Sequence, residues 1–373
     1  MRALLFALLA LTLVASATAQ APQSVNDAAI LARNPPRLLS EYRLFRDAGA
    51  REPNARVTPY ALNTELYSDG ALKFRYVYIP QGQQARYSPD DVFDFPVGTV
   101  LIKTFAFAAD MRRPSENVRF LETRLLIRRA EGWIALPYVW NEEQTEARLS
   151  VIGANVPVSF TNEEGQAVAL DWSVPNVNQC RGCHARAGGN AVLPIGPSAR
   201  NLNRLGPITV PRTPADDPDD ELILVCSNGG CDQLSVWRFL GLLDQAPPPA
   251  PRVPNAYDTS APLAERARAY LDVNCAHCHN PAGPAHASGL DLRWSQTDPA
   301  LWGVMKRPVA AGRGSAGFEF SIEPGHPERS ILLHRMASTD PGVMMPELGR
   351  QLVDERAVAL MRDWIAGMDG EGR

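Results

Sequence analysis

The sequence predicts a multidomain α+β chain: a β-sandwich-like N-terminal domain, an irregular middle segment and an α-helical C-terminal domain. Three observations predict it. Short runs rich in aromatic and β-branched residues follow one another between Tyr60 and Leu170. The proline-rich stretch Ala246-Pro-Pro-Pro-Ala-Pro-Arg-Val-Pro254 then interrupts the chain. Beyond it, two apolar stripes recur at helical spacing. A chain of 373 residues is long enough for two or three domains.

The β-rich domain is assigned to residues 35–172. Leu72 to Ile79 is the first clear strand, ended by Pro80-Gln81-Gly82. Thr99 to Phe107 is the second. Phe120 to Arg128 and Trp133 to Trp140 follow, and Arg129-Ala-Glu-Gly132 between them reads as a hairpin loop. Strands at this spacing favour a sandwich over a parallel sheet with crossover helices.

Residues 173–245 form the middle segment, with an acidic, proline-containing loop at Pro214 to Glu221 and a short helix expected from Gln233 to Gln245. In that helix Leu234, Trp237, Leu240 and Leu243 fall near one face. Residues 246–259 read as a stiff extended spacer and as the best domain boundary. The C-terminal domain, 260–373, opens on a helix signal: Ser260 is placed to cap, Pro262 lies in the first turn, and Leu263, Ala267, Tyr270 and Leu271 form the stripe. A last helix carries Val353, Ala357, Leu360, Met361, Trp364, Ile365 and Met368 at i, i+3, i+4, i+7 spacing.

The chain begins Met1-Arg2, followed by an apolar run from Ala3 to Ala15 and then Ala17-Thr18-Ala19. This is the pattern of an export signal over residues 1–19, with cleavage before Gln20. The run is shorter than the ~20 apolar residues of a bilayer crossing, and no second run follows, so no membrane span is expected after cleavage. The expected location is the periplasm, with release from the cell as the variant. Losing Arg2 with the signal leaves 36 basic against 41 acidic side chains, a formal charge of −5. No dense basic run appears, so nucleic acid is not an expected partner.

Six cysteines in an exported chain are expected in disulfides, metal sites or cofactor attachments. Four of them form Cys180-Arg-Gly-Cys183-His184 and Cys275-Ala-His-Cys278-His279. Two residues between the cysteines place both sulfurs along one porphyrin edge, each within reach of a vinyl group, and the next residue is then held under the iron. The expectation is therefore two covalently attached haems c, on Cys180 and Cys183 and on Cys275 and Cys278, with His184 and His279 as proximal iron ligands. Zinc is the competing reading. Zinc ribbons separate their cysteine pairs by ~15–20 residues, whereas 91 residues separate these, and zinc gives no reason for a histidine after both pairs. Thioredoxin-like chemistry would need a βαβ context. The remaining pair, Cys226 and Cys231, suits one local disulfide.

A helix entering the second motif, with an apolar C-terminal helix able to pack across it, is the layout of a small cytochrome c domain. Met345 lies 66 residues beyond His279 and just before Pro346. Proline stiffens the loop and fixes the approach of the thioether, so Met345 is the expected distal ligand of the second haem, with Met344 as competitor. The first haem has no methionine nearby. Its candidates come from elsewhere: Met111, Met305, Met336, His277, His286, His326 and His334, or an open site. Gly312-Arg-Gly-Ser-Ala-Gly317 matches the dinucleotide fingerprint by letter but not by context, since it opens no helix after a strand. It reads as a loop whose Arg313 approaches a haem propionate.

Several blocks resemble a little-characterised bacterial family of exported di-haem c-type cytochromes with a β-rich N-terminal half. They are Leu62-Asn-Thr-Glu-Leu-Tyr-Ser-Asp69, Asp94-Phe-Pro-Val-Gly-Thr-Val100, Tyr138-Val-Trp-Asn141, Pro175-Asn-Val-Asn-Gln-Cys-Arg-Gly-Cys-His184, Ile195-Gly-Pro-Ser-Ala-Arg-Asn-Leu202, Asn274-Cys-Ala-His-Cys-His-Asn-Pro281 and Asp340-Pro-Gly-Val-Met-Met-Pro-Glu-Leu-Gly349. The resemblance covers most of the mature chain, though not the Cys226/Cys231 loop. It implies an electron carrier of the envelope with redox partner proteins there, and a secreted parallel β-helix protein as a further partner. Electron transfer is the expected function. A di-haem peroxidase-like oxidoreductase, with an open distal site on the first haem, is the alternative, and a β-domain acting as a binding module comes third.

Overall fold

The computed structural model describes residues 24–47, 49–206, 231–246, 249–309 and 311–368. The expected export signal and the Cys226–Cys231 disulfide lie outside the described residues. The chain is mixed α+β. No helix among the described residues is long and apolar enough to cross a membrane.

A short helix α1 (Asp27–Leu31) leads into a six-stranded antiparallel meander, β1 (Val57–Pro59), β2 (Leu72–Tyr78), β3 (Val100–Ala108), β4 (Val118–Arg129), β5 (Gly132–Trp140) and β6 (Ala147–Leu149), paired in chain order. The four expected strands are β2 to β5, each within two residues of the expected bounds. The expected hairpin closes tightly, since Arg129 pairs with Gly132 and Gly132 sits at φ 139°. That conformation costs glycine little and any other residue much.

Alternation sends each strand's residues to two faces, and both are buried. One face carries Tyr76, Tyr78, Ile102, Leu125, Ile127 and Tyr138 against Ile30, Leu39, Tyr42 and Leu44 of the N-terminal segment. Over one end of the other face lies the antiparallel hairpin β7 (Ala154–Thr161) and β8 (Ala167–Val174). Phe107 stacks on Phe160 at 4.3 Å between ring centroids, and Trp172 packs on Phe105 at 5.3 Å. Sheet-on-sheet packing is confined to that end. The rest of the face is covered by loops, by α3 (Ala199–Leu202) and by α4 (Gln233–Phe239), whose fully buried Trp237 packs on Phe93 and Tyr60. The helix α2 (Cys180–His184) comes between β8 and α3, and a two-residue ladder pairs β9 (Leu205–Gly206) with β10 (Cys231–Asp232).

Helix α4 stops six residues before the expected end. Gly241 takes φ +68°, and Leu242 N–H donates to Trp237 C=O at 2.9 Å, so the chain turns out of the helix and buries Leu243 instead. The proline-rich stretch is also not a free spacer. Val253 and Ala256 are fully buried, and Thr64 ties both sides of Asn255, donating to Pro254 C=O and accepting from Ala256 N–H.

In the C-terminal part, α5 (Leu263–Asn274) runs into the second motif and packs on α8 (Glu355–Ala366). Ala267, Tyr270 and Leu271 meet Ala357, Leu360, Met361, Trp364 and Ile365, the two stripes expected from the sequence. The cap differs. Ser260 does not cap α5; its hydroxyl donates to Asp258 at 2.7 Å, and Pro262 precedes the first turn. Asp354 caps α8 by accepting from Ala357 N–H. Between them lie α6 (Pro299–Trp302) and α7 (Ile331–Met336).

The segment 61–69 joins the sheet to both motif regions. Asn63 and Thr64 bond Asn201, Tyr67 N–H donates to Asn274 at 2.7 Å, and Asp69 accepts from Gln351 and Leu352 N–H at 2.7 Å each. Asn274 immediately precedes Cys275, so this strap fixes where the second motif stands relative to the sheet.

Candidate cofactor site

The first motif is launched from β8. Asn176 and Gln179 bond reciprocally, the Asn176 side chain accepting from Asn178 and Gln179 N–H while Gln179 accepts from Asn176 N–H. This turn starts α2, which holds Cys180, Cys183 and His184 in a single helical turn. The second motif follows the last residue of α5, with Cys278 and His279 N–H both donating to Cys275 C=O. All four cysteines are half-buried and free.

Both histidines are held with the proton on Nδ1, which leaves a lone pair on Nε2. His184 Nδ1 lies 2.7 Å from Leu193 C=O, which can only accept, so Nδ1 carries the proton. His279 Nδ1 lies 2.9 Å from Ser288 Oγ. That hydroxyl spends its single proton on Ala285 C=O at 2.8 Å, so it accepts from Nδ1–H here too. Burial holds both rings neutral, and His277 and Arg335 add to it at His279, whose pKa falls to about 4. Neutral imidazoles with Nε2 lone pairs fit the proximal role.

A cavity of about 530 Å³ opens beside the second motif, within the ~300–1,000 Å³ of ligand sites. Cys275, His279, Met336, Met345 and Arg313 line it; Met344 does not. A cysteine, a neutral imidazole and a thioether, groups that would suit a haem, thus share one cavity, while Cys278 does not line it and turns towards Cys183. Arg350 builds the methionine loop. Its buried guanidinium donates to Met345 C=O at 2.9 Å, to Met336 C=O at 3.1 Å and to Ser338 C=O at 2.8 Å. Arg313 lines the same cavity but is bonded to Asp340 at 2.9 Å, and its guanidinium lies so close to Gly342 that a Cβ there would overlap it. The expected dinucleotide decoy is a 3-10 turn over Gly312–Ser315, outside any βαβ unit among the described residues.

The two motifs, 91 residues apart in sequence, are in contact. Cys183 Sγ, Cys278 Sγ and a His277 ring nitrogen lie within 4.8 Å of one another. Cys278 Sγ is 3.8 Å from Gly182 C=O, and Ala187 N–H donates to Ala282 C=O at 2.9 Å. A Cβ on Gly182 would lie 2.9 Å from the far end of the exposed Leu348 side chain, which follows the Met345 loop and would have to shift. Hydrogen bonds from Cys278 and His277 pull the Cys183 thiol down, while burial pushes the Cys275 thiol up to about 12. Cys183, His277 and Cys278 offer a metal three ligands, one short of a structural zinc site, and among the described residues no fourth joins them.

The remaining candidates for the first haem are engaged elsewhere. Met111 is packed with Phe107 and Phe160, Met305 is exposed, and Met336 lines the second cavity. His286 faces Gly283 C=O, His326 faces Glu328, and His334 packs on Phe318. Only His277 is brought to the first motif, and its Nδ1 is buried without a hydrogen bond.

One feature of the site was not anticipated from sequence. Lys73, Arg75, Lys103 and Arg124 share one sheet face, beside Glu65 and Glu122, and Arg124 lies close enough to Cys180 and Cys183 to act on their charge. Burial alone would raise the Glu65 carboxyl; Arg75 and then Lys73 outweigh it and hold the pKa at about 2. The folded pKa is below the unfolded one, so the ion pair contributes stability above pH 4.5 that is lost as pH falls towards 2. Glu65→Gln is therefore expected to flatten the acid limb of stability against pH. It should also cost ~1–2 kcal/mol at neutral pH, a range discounted because Glu65 is half-exposed. Urea unfolding at pH 6 and pH 2.5 checks both; an unchanged acid limb would refute the assignment.

Compared with known protein families, curated proteins and solved structures, the chain matches none.

Proposed function

We propose that this protein is a periplasmic di-haem c-type cytochrome that transfers electrons between partner proteins of the envelope. The observation that carries the reading is the contact between two Cys-x-x-Cys-His strings, each with a neutral histidine whose Nε2 is free to ligate. In this reading Cys180 and Cys183 hold one haem and Cys275 and Cys278 the other. The pair supplies two one-electron couples when bound. His184 and His279 act as proximal ligands, oriented by Leu193 C=O and Ser288. Met345 reaches the second iron from a loop held by Arg350, which makes residues 260–368 a cytochrome c-type domain. The β-rich domain and its 61–69 strap keep the two motifs in register, so that electrons exchange within one chain. Resemblance of the motif blocks to exported di-haem cytochromes supports the same reading, and with it a secreted parallel β-helix protein as a partner.

The test is purification of the exported chain with its haem-attachment machinery. Intact mass and haemochrome absorbance should count two thioether-linked haems, falling to one in Cys180→Ser/Cys183→Ser and in Cys275→Ser/Cys278→Ser. Reduced-minus-oxidised spectra without c-type bands would refute the reading.

A second reading, a di-haem peroxidase-like oxidoreductase, draws on one observation: of the seven sequence candidates for the first distal position, five are engaged elsewhere and Met305 is exposed, which leaves His277. It requires an exchangeable position at the first haem. Peroxide turnover with a high-spin signal from one haem would favour it, and low-spin spectra of both haems in every redox state would exclude it.

A further inference from the structure

Arg75, Lys103 and Arg124 stand directly opposite one another across three neighbouring strands, Arg75 paired with Lys103 and Lys103 with Arg124. Like charges in that register repel. Lys73 lies two residues before Arg75 on the same face. Against these four cations, Glu65 and Glu122 are the carboxylates in ion pairs, while Asp69 and Asp354 act on Lys73 from further off. Glu65 takes Arg75 at 2.9 Å and Lys73 at 3.7 Å. Glu122, fully buried, takes Arg124 and the Trp172 indole N–H. Lys103 meets no carboxylate among the described residues; its ammonium lies 4.7 Å from the Phe105 ring centroid, which also receives Arg124 at 4.4 Å. Arg75, 4% exposed, keeps Nη2 buried with no acceptor. Burial, then Arg75, Lys73 and Arg124, push the Lys103 pKa well down. Among the described residues Lys103 is thus left without a carboxylate in contact, and Arg75 Nη2 without an acceptor. The row is more open at Arg124, 31% exposed, which is close enough to Cys180, Cys183 and His184 to act on their charge.

We propose that the Arg75–Lys103–Arg124 row is a carboxylate-binding site whose occupant is the propionate pair of the haem attached at Cys180 and Cys183. The propionate pair supplies a carboxylate to Lys103 and an acceptor to Arg75 Nη2. The site rests on the di-haem reading. It also gives the buried cations a role in that reading, since positive charge beside a haem favours the ferrous state.

The test uses the exported holoprotein with Lys103→Met and Lys103→Arg. Haem is counted first, by mass and haemochrome. Fewer than two haems in the unsubstituted protein means that the di-haem reading itself has failed, and this occupant with it. With two haems present, Lys103→Met should raise the oxidised-to-reduced ratio of one haem about tenfold at its original midpoint, a 59 mV fall for a one-electron couple. The other haem should not move. Lys103→Arg should restore the midpoint, and the propionate bending band in resonance Raman should shift in Lys103→Met alone. If Lys103→Met does not fold, Lys73→Met is read instead, with the same sign. Unchanged midpoints and Raman bands in a folded variant overturn the proposal. Added succinate that perturbs the unsubstituted protein but not Lys103→Met, with unmoved propionate bands, assigns the row to a free diacid and overturns the propionate occupant.

Discussion

Met345→His is expected to lower the midpoint potential of the haem proposed at Cys275 and Cys278 by ~0.1 V or more, within the ≈ 0.8 V range that axial ligands span. Thioether sulfur favours ferrous iron, and imidazole gives up that preference. The cavity places Met345 on the same wall set as His279 and Cys275 and leaves Met344 out, so Met344→Leu should leave the potential within a few hundredths of a volt. Redox titration followed in the haem bands separates the two variants. A fall in Met344→Leu with none in Met345→His would exchange their roles. No change in either would remove methionine from this iron.

Arg350→Ala has the second-largest expected effect, on stability rather than potential. Its guanidinium donates to the carbonyls of Arg335, Met336, Ser338, Met345 and Leu352, and the side chain is buried. Its loss leaves several carbonyls without a donor, each costing ~1–3 kcal/mol if it stays dry, and leaves a void the size of the side chain. Partial relaxation brings the expected loss to about 3 kcal/mol, measured as a fall in the urea midpoint. The Met345 loop should loosen with it, so that added imidazole binds the C-terminal haem more tightly than in the unsubstituted protein. Arg350→Lys should recover only part, because one ammonium cannot stand in both for Nη2, which faces four of the carbonyls, and for Nη1, which faces Leu352 C=O. Full stability in Arg350→Ala would mean that water replaces the guanidinium and that the loop is held by Pro346 and the Met345 N–H bond to Arg335 C=O alone.

Strands β2 to β5 were legible because their alternation and the turn residues between them act locally. Helices α5 and α8 were legible for the same reason, since each carries one apolar stripe. The hairpin β7–β8 alternates just as clearly, with Val156, Val158 and Phe160 inward, but no single strand there announced which face it would cover. Ser260 looked like a cap and was taken by Asp258 instead. The stretch 246–259 looked like a spacer because proline stiffens a chain whether or not anything packs on it; its burial depends on Thr64, nearly two hundred residues away in sequence.

At the site, residue chemistry and spacing singled out Cys180, Cys183, His184, Cys275, Cys278, His279 and Met345, because a Cys-x-x-Cys-His string carries its own geometry. What each histidine bonds through Nδ1 was not local information: Leu193 and Ser288 each lie nine residues on, Leu193 in irregular chain and Ser288 at the end of a 3-10 turn. Arg313 was read as a propionate contact; it lines the cavity but is tied to Asp340. The cation row had a signal that went unread. Lys73, Arg75 and Lys103 sit at the alternate positions of strands whose other residues are apolar, which places them on one face of a buried sheet.

By itself, then, the sequence determined the covalent chemistry on offer, the strands, the two long helices and the methionine loop, all set by neighbours within a few residues. Only the tertiary structure decided that the two motifs touch, that Met345 and not Met344 lines the cavity with His279, and that four cations share one sheet face with Arg124 beside the first motif. Those depend on the meander's register and on the 61–69 strap. Register and long-range hydrogen bonds are set by packing energy summed over the whole sheet, which no short window of sequence contains.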